Sequence, residues 1–147
     1  MKKISMIIIF MVFLSSCDGD GDIANTFQKA KLEENKSLWE SQDISSYRFT
    51  YRVSCFCYWE DDVVVSVVNG DITGAFYLNS GLYLNEQELS NLYTITDIFD
   101  LAGGFIDENK GKLQITYNKD YGYPEVIDYD VKKEADNWVA YRLWDFQ

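Results

Sequence analysis

Two cysteines separated by one residue, Cys55 and Cys57, are the residues best suited to chemistry in this sequence of 147 residues. The sequence contains no histidine, which excludes Ser-His-Asp and Cys-His catalysis and removes the commonest neutral ligand of a catalytic zinc. A zinc site would need two further ligands from carboxylates or from another chain. A thioredoxin-type motif has two residues between its cysteines and a βαβ setting, and both are missing here. The cysteine pair therefore predicts no catalytic residue, no metal site and no cofactor.

Carboxylates are the second chemical candidates, and they are densest at residues 60–62 and at Asp128 with Asp130. Such groups act as general acids or bases when their surroundings shift their pKa values, but acidic runs usually form solvated surface. We expect a solvated surface at both places. A carboxylate- or thiol-dependent enzyme stays as an alternative hypothesis.

The N-terminus has the pattern of an export signal. Lys2 and Lys3 precede an apolar run from Ile4 to Leu14 that is about half the length of a membrane-spanning helix. The following residues, Leu14-Ser15-Ser16-Cys17, look like a bacterial lipobox, in which the cysteine is diacylglycerylated and becomes the mature N-terminus. We predict a signal peptide over residues 1–16, lipidation with acyl chains such as palmitate at Cys17, and a location in the bacterial cell envelope.

Residues 17–22 are predicted to tether the lipid to a single domain over residues 23–147. The tether's alternating aspartates do not match an EF-hand calcium loop. With Asp18 at the first position of such a loop, Ile23 stands where the loop requires glycine and Lys29 where it requires its final glutamate. Asp18 resembles an inner-membrane retention signal, but the choice of inner or outer membrane stays open, as does the choice of periplasm or cell surface.

The predicted mature chain is strongly acidic. Removal of Lys2 and Lys3 leaves 11 basic against 24 acidic residues, a formal charge of −13. This charge disfavours nucleic acid as a partner. The membrane, reached through the lipid, is therefore the expected partner, together with a possible envelope protein.

The cysteine pair follows a sequence of period two, Tyr47 to Cys55, in which one face is apolar and the other carries Arg48, Thr50, Arg52 and Ser54. In an extended strand, β-carbons two residues apart lie about 6.5 Å from each other, whereas a disulfide requires about 3.8 Å. A Cys55–Cys57 bridge would therefore end the strand at this point. Export favours an intramolecular disulfide, and free buried thiols remain the alternative.

The remaining chain predicts an α+β domain with a mostly antiparallel sheet of about six strands and two helices on one face, in the order αβββαβββ. The Asn69-Gly70 dipeptide favours a tight hairpin, and Thr94 with Asp97 favours a helix start. The Gly103-Gly104 pair predicts either an early helix end or close approach to the sheet, and Gly111 a helix stop. The predicted helices span 23–42 and about 95–106, and the predicted strands 47–55, 63–68, 72–78, 112–118, 125–131 and 137–146, with a short edge segment at 82–84.

Several motifs occur in a recognisable order: Ser46–Tyr51 leading into Cys55-Phe56-Cys57, Thr96–Leu101, Ile115–Tyr117, Gly122-Tyr123-Pro124 and Ile127-Asp128. Over roughly residues 39 to 146 they resemble a family of uncharacterised bacterial lipoproteins that share a domain of unknown function. The resemblance implies a shared scaffold and no reaction. We therefore expect a non-catalytic protein- or ligand-binding module, with a carrier of an apolar ligand as the alternative.

Overall fold

The computed structural model describes residues 20–55, 61–131 and 138–147. β-Strands form the larger part of its regular secondary structure. The elements are α1 (Asp20–Ser41), β1 (Tyr47–Cys55), β2 (Val63–Val68), β3 (Asp71–Tyr77), α2 (Glu86–Leu89), α3 (Ile95–Glu108), β4 (Gly111–Tyr117), β5 (Pro124–Val131) and β6 (Trp138–Trp144). All six strands form one antiparallel sheet in the order β3-β2-β1-β6-β5-β4. The predicted α+β class and the order αβββαβββ are confirmed. The short α2 was not predicted.

The central strand β1 sets the two faces of the sheet. On the inner face, Phe49 and Tyr51 are almost fully buried, and Tyr51 lies between Val63 of β2 and Leu143 of β6. The prediction that Thr50 is solvated is wrong, because its side chain is only 2% exposed. Its partners in register are Val64 and Trp144, so two large apolar residues flank the small threonine on the outer face.

Two local predictions, a hairpin turn and a pairing at the sheet edge, are confirmed. Asn69 and Gly70 both have positive φ, 55° and 85°, between the paired ends of β2 and β3. These angles suit the tight hairpin that an Asn-Gly dipeptide favours. The edge segment 82–84 also pairs as expected, through a bridge between Tyr83 and Phe76.

The start of α3 follows its sequence signal, whereas its end does not. Thr94 and Asp97 form a capping box in which the Asp97 amide donates to the Thr94 hydroxyl over 3.2 Å. The Gly103-Gly104 pair does not end the helix, which runs to Glu108 and is capped by Asn109 in the left-handed conformation. A β-carbon at Gly103 would lie 3.6 Å from Leu32, so the close approach is to α1. Gly111, expected as the stop, is the first residue of β4.

The apolar stripe predicted for α1 is wrong. Ile23 and Phe27 are 71% and 69% exposed, and Ala30 and Leu38 are also exposed. The buried side chains are instead Leu32 and Trp39, two turns apart. The Trp39 ring packs edge-on against three rings of the sheet side, with centroid distances of 5.4 Å to Tyr47, 6.3 Å to Tyr123 and 5.7 Å to Phe146.

Polar contacts complete the attachment of α1. The Asn25 side chain donates to the Ile106 carbonyl of α3 over 2.9 Å, and the Gln28 side chain donates to the Leu113 carbonyl over 3.0 Å. Leu113 lies on the edge strand β4, so this hydrogen bond attaches α1 to the edge of the sheet. Within the described residues, no helix is long and apolar enough to cross a membrane.

Candidate functional site

The acidic groups that could have acted as catalytic pairs lie on the outer face of the sheet and form ion pairs. Asp62 accepts two hydrogen bonds from the Arg52 guanidinium, at 2.5 and 2.8 Å, and Asp128 lies 3.5 Å from Arg142. Glu60 lies outside the described residues. An arginine therefore neutralises one carboxylate of each group, while Asp61 accepts a hydrogen bond from the Asn79 side chain instead. Nowhere in the described parts of the chain do three residues of metal-ligand type come together.

The structure places one of the predicted site residues. Cys55 is the last residue of β1 and is half-buried on the inner face. Cys57 and the predicted lipidation site Cys17, together with the predicted signal peptide, lie outside the described residues.

Cys55 borders a cavity of about 570 Å³ between the inner face of the sheet and α3. The floor comes from paired residues of β1 and β6, because Val53 is opposite Tyr141 and Cys55 is opposite Val139. The walls come from α3 and from the segment that precedes it. The described lining residues are Tyr51, Val53, Cys55, Asn91, Tyr93, Leu101, Phe105, Val139 and Tyr141.

Local sequence explains how each wall is held. Leu101 and Phe105 are four residues apart in α3, so both side chains project from the same face of the helix. Phe105 stacks on Tyr129 of β5 with ring centroids 4.3 Å apart, and the Tyr129 hydroxyl donates to Glu108 over 3.2 Å. The C-terminal half of α3 is thereby fixed on the sheet beside the cavity.

Tyr51 is the most deeply buried of the described lining residues, with a side chain only 1% exposed. Its hydroxyl has no hydrogen-bond partner among the parts of the chain that the structure describes. Its ring lies 6.4 Å from that of Tyr141, which in turn lies 6.3 Å from Tyr93. Burial is the main cause that raises the pKa values of Tyr51 and Tyr141 above the ordinary value. Both phenols therefore stay protonated at neutral pH and can donate hydrogen bonds.

The described lining is uncharged and mostly apolar, with polar atoms from Asn91 and three tyrosines. Cavities of a few hundred Å³ with apolar walls and a few polar groups are typical of small-molecule binding sites. This arrangement is suited to holding a ligand. No described lining side chain is a carboxylate that could transfer protons.

Sequence reasoning assigned Tyr51 and Val53 to the inner face but did not find the cavity. Tyr93, Leu101 and Tyr141 come from three separate segments, and only the packing of α3 against the sheet brings them together. One local signal was available, since the alternation of β1 aligned Tyr51, Val53 and Cys55. No local signal could show that the Tyr51 hydroxyl would lack a partner.

Comparison with known proteins gives one match. No curated protein and no solved structure matches the chain. A model of a family of unknown function, DUF6174, matches residues 31–147, which include every element of the sheet and the whole described lining of the cavity. The chain therefore belongs to the family of unknown function DUF6174.

Proposed function

We propose that this protein is a non-catalytic ligand-binding module of the bacterial cell envelope, held at a membrane by a lipid on Cys17. The cavity of about 570 Å³ beneath α3 is the observation that carries the binding function. The cavity is open to solvent on one side, and its volume and mostly apolar lining suit a small organic molecule. This function joins the two expectations from sequence, a binding module and a carrier of an apolar ligand.

The surface of α1 supports the membrane anchor. Ile23 and Phe27 project an exposed apolar patch, which also includes Thr26 and Ala30, from the first turns of the helix. Only two residues, Asp18 and Gly19, separate Cys17 from the start of α1 at Asp20, so the Cα atoms of Cys17 and Asp20 are at most about 10 Å apart. A lipid on Cys17 would bring this apolar patch to the bilayer surface, where burial of its apolar side chains is favourable.

We also propose the Cys55–Cys57 disulfide as the device that ends β1 at the mouth of the cavity. A loop this short removes little entropy from the unfolded chain, so the bridge would act mainly on shape. A thiol titration of the denatured, unreduced Cys17→Ser chain tests the bridge. Absence of free thiols is expected, and two free thiols would refute the bridge.

The binding function is tested by purification of the lipidated protein from its native membrane and mass spectrometry of an organic extract. We expect a small molecule in roughly equimolar amount. A Val139→Phe variant, which fills part of the cavity floor, should lose this molecule. A Val68→Phe variant is the matched control, because Val68 is 45% exposed and lies outside the cavity lining. Equal recovery from both variants would refute the cavity as the site, and a mature chain without acyl groups on Cys17 in mass spectrometry of the protein would refute the anchor.

A further inference from the structure

The accessible part of the cavity lies at one end of the sheet. Along the inner face of β1, Tyr51 is almost fully buried, whereas Val53 and Cys55, nearer the end of the strand, are half-buried. On β6, Tyr141 is buried, whereas Val139, nearer the start of that strand, is half-buried. Since β1 and β6 are antiparallel, the end of β1 lies beside the start of β6. The lining is therefore most accessible where β1 ends and β6 begins, and we call this end of the sheet the mouth end.

The register of the sheet brings the N-terminal half of α1 to the same end. Cys55 is opposite Val139, and Val139 is opposite Tyr129 of β5. Tyr129 is in turn opposite Leu113 on the edge strand β4, so these residues form one row across four strands, about 14 Å long. Gln28 of α1 donates to the Leu113 carbonyl at the far end of this row. The N-terminal half of α1 is thus level with the accessible part of the cavity.

Exposed apolar side chains are found at both ends of this row. The apolar patch of α1 includes Phe27, directly before Gln28, and Ile23 one turn earlier. Beside the cavity, Trp138 directly precedes Val139 and is also exposed. Exposed apolar patches mark protein or membrane interaction surfaces, and tryptophan is enriched at membrane interfaces. The mouth end thus carries side chains that suit contact with a bilayer.

The proposed lipid selects the bilayer as the occupant of this surface. Only two residues separate Cys17 from α1, so a lipid on Cys17 and the apolar patch of α1 would enter the same bilayer. A domain held in this way has its mouth end at the membrane. A hydrocarbon chain can then move from the bilayer into the cavity with little exposure to water, which is the favourable route for apolar surface.

We propose that the cavity takes up the hydrocarbon chain of a neutral lipid directly from the bilayer, and that the apolar patch of α1 holds the mouth end at the membrane during uptake. The described lining is uncharged and mostly apolar, which suits a hydrocarbon chain and disfavours an ionised group. This assignment rests on the ligand-binding function and the anchor proposed above. It deepens that function because it names the chemical class of the ligand and the phase from which it comes.

Dodecanol, a neutral molecule with one hydrocarbon chain, tests this route on the predicted mature chain carrying Cys17→Ser. Equilibrium dialysis measures its affinity from water, and its transfer out of sedimentable phosphatidylcholine vesicles measures its uptake from a bilayer. Neutral vesicles are used because an acidic chain is repelled by an anionic surface. The double variant Ile23→Asp with Phe27→Asp should keep the affinity from water. Its initial rate of uptake from vesicles should fall roughly ten-fold or more, because these side chains no longer become buried in the bilayer.

Leu82→Asp with Tyr83→Asp is the matched control, because it makes the same change in charge at two residues that are 67% and 80% exposed. These residues lie beside β3, at the opposite edge of the sheet from β4, so the control should keep the wild-type rate of uptake. An α1 variant with the wild-type rate, or a control slowed as much as the α1 variant, would refute uptake through the apolar patch. The cavity function would still stand if dialysis shows dodecanol binding that Val139→Phe abolishes. If dodecanol does not bind the wild-type cavity in dialysis, both the cavity function and this route are refuted.

Discussion

Substitution of Tyr51 by phenylalanine should not destabilise the ligand-free protein, although Tyr51 lies in the core. The change removes one buried hydroxyl and keeps the ring that packs near Phe49 and Tyr141. A buried polar group without a partner costs about 1–3 kcal/mol, so its removal should leave the free energy of unfolding unchanged or raise it by up to this amount.

Tyr47→Phe is the matched comparison, because it is the same substitution on the same face of the same strand. Tyr47 is 8% exposed, and its hydroxyl accepts from the Ile95 amide at the start of α3. Without it, a buried amide loses its partner, so the free energy of unfolding should fall by about 1–3 kcal/mol. The two variants should therefore differ by about 1 kcal/mol or more.

Urea denaturation followed by tryptophan fluorescence measures both free energies on the Cys17→Ser chain, after extraction of bound small molecules. Equal m-values in the two variants would show that the comparison reports stability alone. If Tyr51→Phe is destabilised as much as Tyr47→Phe, the Tyr51 hydroxyl has a structural partner, and the reasoning that treats it as an unpaired buried group is refuted.

Three further outcomes are expected. Gly122→Ala should lower the free energy of unfolding by about 3 kcal/mol or more, because Gly122 has φ of 84° and a β-carbon would lie 2.5 Å from the Asn35 carbonyl oxygen. Gly70→Ala is the control, since Gly70 has a similar φ of 85° but open space around it. It should lower the free energy of unfolding by about 1 kcal/mol in the same urea titration. Burial raises the pKa of Tyr123 to about 12, so the unfolded chain loses this proton first, and stability should fall as pH rises above about 10. Tyr123→Phe should make this fall shallower in thermal melts across the alkaline range. Ile127→Ala, at a fully buried position of β5, should lower the free energy of unfolding by about 2–5 kcal/mol, and a loss below 1 kcal/mol would contradict its place in the core.

The sheet and the start of α3 could be predicted because their signals are local. Alternation fixed β1 over Tyr47–Cys55, the Asn69-Gly70 dipeptide fixed the first hairpin, and Thr94 with Asp97 fixed the helix start. Each of these signals acts between residues that are neighbours in sequence, so the chain carries the whole physical cause.

Predictions that depended on distant residues were less successful. The apolar residues Ile23 and Phe27 suggested that their side of α1 is buried. The α1 side chains that are buried in the domain are instead Leu32 and Trp39. Thr50 was assigned to the solvated face, yet its neighbours in register cover it. Burial is decided by what packs above a residue, and the residues that pack there can lie far away in sequence.

The amino-acid sequence by itself determined the α+β class, the order of the elements and the absence of histidine chemistry. Only the tertiary structure decided that Tyr51, Leu101 and Tyr141 meet around one cavity and that the Tyr51 hydroxyl has no partner in the described chain. The physical reason is that secondary structure follows from local backbone preferences and periodicity, whereas a cavity and an unpaired hydroxyl arise from what α3 and the sheet leave unfilled when they pack.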